Sequence, residues 1–215
     1  MILFILGCTL VLLFPPLPQN FSLISVFRVT KEPVAITRGT YGSALTVNIS
    51  FGDDEVEEWI QTLEKPYPLL LVDPNWAERF PDTTRLIIEK NIPTGLLGLE
   101  GNAYEADGSL LIEQVEQFEK LFEKKPLWFR SIDEVFPSFL HTLLWEAEIN
   151  ALGSSVKWTG GEIPPVIEGE IISIPHHRKE HLYLPELKRL YESRDFKTIE
   201  EVLFGQIGTT KKLPK

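Results

Sequence analysis

Residues 43–63 read SALTVNISFGDDEVEEWIQTL, and the fold is decided there. The first eight residues, SALTVNIS, are mostly small or β-branched and predict a strand that ends at Phe51-Gly52. Asp53-Asp54-Glu55 then open a helix, with Val56, Trp59, Ile60 and Leu63 at helical spacing. Its acidic first turn suits the positive end of the helix dipole. A strand followed at once by an amphipathic helix is half of a parallel α/β unit.

The pattern continues downstream. Pro66 and Pro68 bracket a turn, and residues 69–72, LLLV, form a wholly apolar strand of the kind that helices cover on both faces. A helical pattern runs through Trp76, Phe80, Leu86 and Ile88. A strand over residues 92–97 is weakened by Pro93 and Gly95. Asp107-Gly108-Ser109 start a helix with Leu111, Val115, Phe118 and Leu121 on one face, and residues 127–130 form a short strand. Phe139, Leu143, Ala147 and Ile149 belong to a helix closed by Gly153. Residues 155–158 and 170–174 are two more strands, and Leu187, Leu190 and Tyr191 mark a helix. Thr198 with Glu201 makes a capping box for the last helix, which stops at Gly205. Alternating strands and helices in one domain predict an α/β fold with parallel strands, a distorted or incomplete (β/α) barrel.

A chain of 215 residues is one domain with room for an appendage. Its formal net charge of −10 argues against nucleic acid as the main partner, because phosphate binding needs a cationic footprint. Neutral and glycan ligands stay open. The single cysteine, Cys8, excludes an intrachain disulfide and a multi-thiolate zinc site. Residues 1–14, MILFILGCTLVLLF, are apolar except for Gly7 and Thr9, and Pro15-Pro16 stop the run. It is shorter than the ~20 residues that cross a bilayer, but long enough for the core of an export signal. No Lys or Arg precedes it, and the first basic residue is Arg28. Residues 1–20 are read as a signal or membrane anchor, against a buried segment or a misassigned start. Residues 21–42 are then a lead-in, 43–205 the folded domain and 206–215 a basic tail. On this reading the domain works outside the cytoplasm, in the cell envelope.

The segment 44–53, ALTVNISFGD, resembles the first motif of the NodB-type polysaccharide deacetylases, carbohydrate esterase family 4. It is closest to the sporulation-associated branch, where the pattern runs A-L-T-F-D-I-S-W-G-D. Leu69–Val72 with Trp76-Ala77-Glu78 resembles the T-F-F-x-x-G-x-W-A-E segment. Phe129-Arg130 resembles the opening of the third motif, and Gly169-Glu170-Ile171-Ile172 the opening of the last. Leu184-Pro185-Glu186-Leu187 and residues 198–203 resemble the closing helices. The likeness covers residues 40–205. It implies a distorted barrel with its site at the C-terminal strand ends. It also implies hydrolysis of the C–N amide of an N-acetylated sugar by a metal-held water. A base Asp takes the proton, and a His protonates the leaving amine.

Against that resemblance most of the roles are vacant. Asn48 stands in the base position, and an amide accepts no proton at neutral pH; losing a general base costs ~10²–10⁴ in rate. Asp53 is the one retained metal-ligand position. The paired metal histidines fall on Leu97 and Gly101, with only Glu100 and Asn102 nearby as oxygen donors. The P-P-Y-G after Phe-Arg is replaced by Ser131-Ile132-Asp133-Glu134. The catalytic His falls on Pro175, and His176 is displaced by one, which on a strand turns a side chain to the other face. Arg130 keeps its place. The expectation is a degenerate deacetylase-like protein, with no catalytic residue assigned and no metal or other cofactor. It would bind cell-wall glycan or an envelope protein through Asn48, Asp53, Arg130 and His176. The alternative is an active deacetylase with a rebuilt site, in which Asp53, Glu100 and His176 or His177 hold a divalent metal such as zinc.

Each of these residues has a plainer reading. Asp53 and Asp54 cap a helix. His176, His177 and His181 make a polar loop rather than a metal pair, and His141 is an ordinary helix histidine. Trp76, Trp128, Trp145 and Trp158 pack a core rather than line a sugar groove. Arg130 with Asp133 or Glu134 forms a structural ion pair.

Overall fold

The computed structural model describes residues 28–52, 54–177 and 184–205. The N-terminal apolar run, Asp53, His181 and the basic tail, on which several expectations rest, lie outside the described residues. Among the described residues no helix is long and apolar enough to cross a membrane.

The first strand, β1 (Ser43–Ile49), is buried along its whole length. Helix α1 (Asp54–Thr62) follows it, buries Val56 and Ile60, and keeps its acidic first turn. β2 (Leu69–Val72) and β3 (Thr94–Gly98) flank α2 (Pro74–Arg79) and α3 (Pro81–Glu89). Next come α4 (Ala103–Ala106), α5 (Ser109–Phe122), β4 (Trp128–Ser131) and α6 (Ser138–Glu146). β5 (Asn150–Ala151), β6 (Val156–Lys157), β7 (Glu170–Ile174), α7 (Leu184–Tyr191), β8 (Phe196–Lys197) and α8 (Ile199–Phe204) complete the order.

All strand pairs are parallel, in the order β5-β4-β3-β2-β1-β7-β6, and β8 pairs the start of β1. The sheet curls into an incomplete (β/α) barrel. Its side chains alternate between two cores, as a period of two requires. Leu45, Val47, Ile49, Leu70, Val72 and Leu96 face the helices. Ala44, Leu69, Leu71, Leu97, Trp128 and Ile171 fill the inside, and α8 closes the floor with Ile199 and Val202. Thr46 and Asn48 share the inward parity of Ala44 but are polar, so the upper half of the interior is hydrophilic.

Residues ahead of β1 belong to this barrel. Ile36 pairs with Leu152 and Arg38 with Glu170, so the lead-in spans the open side between β5 and β7. Farther back, the Arg28 guanidinium lies 4.5 Å over the Trp145 ring.

The structure revises several expected elements. The single helical pattern from Trp76 to Ile88 is two helices, because Pro81 opens a second one with its own first turn. The helix expected to carry Ile149 ends at Glu146, and β5 follows. Glu148 adopts a left-handed φ of 59°, reversing the chain, while the Ile149 N–H returns to the Leu144 carbonyl. β3 starts two residues later than expected and ends one later, and it contains Gly95 for a steric reason: a Cβ there would lie 2.7 Å from the Trp128 carbonyl oxygen. The short α4 and β8 carry no pattern long enough to be read. The capping box at Thr198 and Glu201 forms as expected.

Candidate functional site

Arg130, on β4, is fully buried and sits in the hydrophilic upper half of the barrel. Its Nε donates to the Leu152 carbonyl at 3.0 Å and one terminal nitrogen to the Gly153 carbonyl at 3.0 Å. The other reaches Thr46 Oγ1 at 2.8 Å, Ser173 Oγ at 3.0 Å and Asn48 Oδ1 at 3.1 Å. One guanidinium thus ties β1, β4, β7 and the link after β5. Every hydrogen-bond acceptor is neutral. The nearest carboxylate, Glu134 Oε1, stands 4.0 Å from Nε. Burial lowers the Arg130 pKa to about 10, with Glu134 pulling the other way, so the group stays charged at neutral pH.

Above this layer a cleft of 680 Å³ opens at the C-terminal strand ends. Ser50, Asp73, Leu97, Ile132, Lys157 and His177 are among its lining residues, with Glu100 and Asp133 on the same wall. Asp73 caps α2 by accepting from the Asn75 N–H at 2.9 Å, and burial raises its pKa. Asp133 Oδ1 accepts from the N–H groups of Gly101 (3.0 Å) and Val135 (3.2 Å), which fixes the loop after β3. Tyr104 donates to Gln114 and accepts from the Leu99 N–H at 2.8 Å; burial first, then Asp73 and Asp133, push its phenol up to about 12.

The sequence-expected residues divide between two levels. Asn48 and Arg130 touch each other but lie beneath the cleft, 1% and 0% exposed. His176 is turned away. It lies beside Phe51, ring centroids 6.4 Å apart, and against Gly52, whereas His177, one residue on, lines the cleft. Trp76, Trp128 and Trp158 are buried, and their indole N–H groups go to Gly52 O, Glu200 Oε1 and Glu162 O. Trp145 lies under Arg28, so none of these four lines the strand-end cleft. His141 stacks on Phe136 with centroids 5.8 Å apart, and burial lowers its pKa. Asp73 and Lys157 carry no signal in the sequence, because they line one cleft only once the sheet curls. Thr46 and Ser173 had a signal: each is a polar residue at inward parity in an apolar strand.

The fold has counterparts among solved structures. A CE4 family pseudoenzyme from Bacillus anthracis matches with a TM-score of 0.62 at 16% identity, over 81% of this chain and 70% of that one. A family 4 carbohydrate esterase from Bacillus anthracis matches at 0.61 and 16%, over 86% of this chain and 94% of that one. The chitin deacetylase from the fungal pathogen Colletotrichum lindemuthianum matches at 0.61 and 14%, over 81% and 93%. The fold is that of the family 4 carbohydrate esterases. No protein-family model matches the chain, and no curated protein matches its sequence.

The carbohydrate-esterase fold implies a divalent metal at the strand ends, and the described residues do not fit one. Leu97, at the first expected histidine position, packs with Leu71 and Trp128 in the interior core. Gly101, at the second, has no room for any side chain, since a Cβ there would lie 2.0 Å from the Val135 carbonyl oxygen. Glu100 and His177 line the cleft, while Asn102 is exposed outside it. Among the described residues no three His, Cys, Asp or Glu side chains gather closely enough to hold a cation. Among the described residues the cleft presents carboxylates, one ammonium and one imidazole around an open space. Those groups can hydrogen-bond a polar ligand such as a sugar.

Proposed function

We propose that this chain is a catalytically degenerate, polysaccharide deacetylase-like protein of the cell envelope. It holds peptidoglycan or a related glycan in the strand-end cleft without hydrolysing it. One observation carries the reading. An open cleft survives above a layer in which the Arg130 guanidinium engages an amide, Asn48, instead of a carboxylate. The carboxamide can receive a hydrogen bond but not a proton, so the cleft keeps room for a sugar and lacks the base. Solved structures of the same fold include a peptidoglycan N-acetylglucosamine deacetylase and a peptidoglycan deacetylase from Bacillus subtilis, which supports an envelope setting. They also include a CE4 pseudoenzyme, so the fold accommodates loss of activity.

Isothermal titration with N-acetylglucosamine oligomers and co-sedimentation with peptidoglycan test the binding. Saturable binding is expected, weakened about tenfold by Asp133→Ala, which removes a lining carboxylate and loosens the loop it fixes. Acetate release, assayed with added zinc, manganese or cobalt, is expected to stay at the blank. Metal-dependent release that Glu100→Gln or His177→Ala abolishes would overturn the reading in favour of a rebuilt active site. Failure of every glycan to bind would shift it to an envelope protein as partner.

A further inference from the structure

The opposite end of the barrel holds a pocket of 410 Å³ that shares no lining residue with the strand-end cleft. It opens beside Leu69, Thr94 and Trp128, the first residues of the adjacent strands β2, β3 and β4. Trp128 and Leu69 give it an apolar wall, and Leu127, 42% exposed, extends that wall to the surface. The indole is held in place by its N–H to Glu200 Oε1 at 3.3 Å, which also engages that carboxylate.

Two ammonium groups and a hydroxyl of the pocket have no protein acceptor among the described residues, and they share it with two carboxylates, Glu148 and Glu200. Thr94 is 7% exposed, and its Oγ1 is buried with no hydrogen-bond partner among the described residues. A native protein rarely leaves a buried hydroxyl in that condition, and each case calls for a cause. Lys124 and Lys125 both line the pocket, and among the described residues neither ammonium has an ion-pair partner. Both lysines are exposed at the pocket mouth, and desolvation lowers the Lys124 pKa. A ligand anion would meet both ammonium groups and give the Thr94 hydroxyl an acceptor. Glu148 and Glu200 line the same pocket and oppose a second negative charge, so a phosphate dianion fits worse than a single carboxylate.

We propose that this pocket is a second ligand site, independent of the glycan cleft, for a small monocarboxylate with a flat apolar body. The carboxylate lies against Lys124, Lys125 and Thr94, and the apolar body lies on Trp128 and Leu69. A free aromatic acid and the carboxyl terminus of a peptide share this chemistry.

Isothermal titration of the purified full chain with 4-phenylbutyrate, 4-phenylbutan-1-ol and 4-phenylbutylamine tests it. The carboxylate is expected to bind about tenfold more tightly than the alcohol, and more tightly still than the amine. Lys124→Gln should remove most of that preference with the melting temperature unchanged; Lys125→Gln provides a second variant if the first folds poorly. N-acetylphenylalanine in the same assay separates the sources: tighter binding than 4-phenylbutyrate supports a peptide terminus, and weaker binding a free acid. The proposal is overturned if the amine or alcohol binds as tightly as the carboxylate, or if no probe binds at up to about 10 mM.

Discussion

A buried guanidinium satisfied wholly by neutral oxygens is an unusual solution, because a cation taken from water normally keeps a carboxylate beside it. Arg130 has Asn48 at 3.1 Å where a carboxylate would complete the pair, and Glu134 only at 4.0 Å. Asn48→Asp is therefore expected to stabilise the fold at neutral pH, by ~1–2 kcal/mol once the new charge's own desolvation is subtracted. The sign with pH follows from the pairing. Arg130 would hold the new carboxyl below its unfolded value of ~3.9, so the gain is complete above that pH and vanishes as the solution is acidified through the lower, folded value. Urea denaturation at neutral and strongly acid pH measures it. A variant no more stable at neutral pH would mean that the surrounding dipoles already satisfy the cation. The same variant should release no acetate, since Leu97 and Gly101 still offer a metal nothing. Arg130→Leu is the converse case. It strands the Leu152 and Gly153 carbonyls and the Ser173 hydroxyl, leaves Thr46 only its bond to the Ile172 carbonyl, and should cost more than ~3 kcal/mol in the same measurement.

Asp73 shows how one residue at the junction of two elements serves both. It ends β2 against the cleft, and its Oδ1 caps α2. Burial raises its pKa, so its charge is held at a cost. Asp73→Ala loses the cap and should destabilise the protein by ~1 kcal/mol. Asp73→Asn keeps an oxygen for the Asn75 N–H without the buried charge, so it should match or exceed the native protein in thermal melts at pH 7. Because the folded pKa lies above the unfolded one, the native carboxyl takes up its proton as pH falls through the folded value, and the advantage of the Asn variant disappears there. Elements with a local signal were legible from the chain alone. The apolar run LLLV, the acidic start of α1 and the Thr198–Glu201 box each state their element within a few residues. The end of α6 was not legible, since nothing about Glu148 announces a left-handed turn. In the site, Asn48 and Arg130 stand out by their place in a motif, whereas His176 lies two residues beyond the end of β7, where strand parity no longer sets its side. The cleft wall was not legible, because Asp73, Asp133 and Lys157 come from separate strand ends that only the curl of the sheet brings together.

That curl leaves a problem for the whole molecule. The sheet path runs from β5 to β6, and a parallel sheet that stops short of closure exposes two edges. Residues 36–42 cover the β5 edge and reach across to the start of β7. The Ile36 N–H donates to the Ala151 carbonyl at 2.8 Å, and the Ile36 carbonyl accepts from Gly153 at 2.9 Å. The Gly39 N–H reaches Gly169 O at 2.8 Å, and the Arg38 guanidinium reaches Glu168 O at 2.9 Å. Thr40 and Tyr41 both donate to the Val202 carbonyl, which ties α8 beneath the barrel. The carbonyls that receive Arg130, on Leu152 and Gly153, lie in the very link that Ile36 clasps, so edge, floor and buried cation are held by one segment. A chain beginning at Arg28 should therefore unfold cooperatively. One beginning at Ser43 loses at least five of these hydrogen bonds together with the buried Ile36 side chain. At ~1 kcal/mol per hydrogen bond its melting temperature should fall by on the order of 10 °C. Its uncovered edges should also favour self-association. Circular dichroism melts and size-exclusion chromatography of the two chains decide the matter. Equal melting temperatures would show that the barrel needs no closing strand.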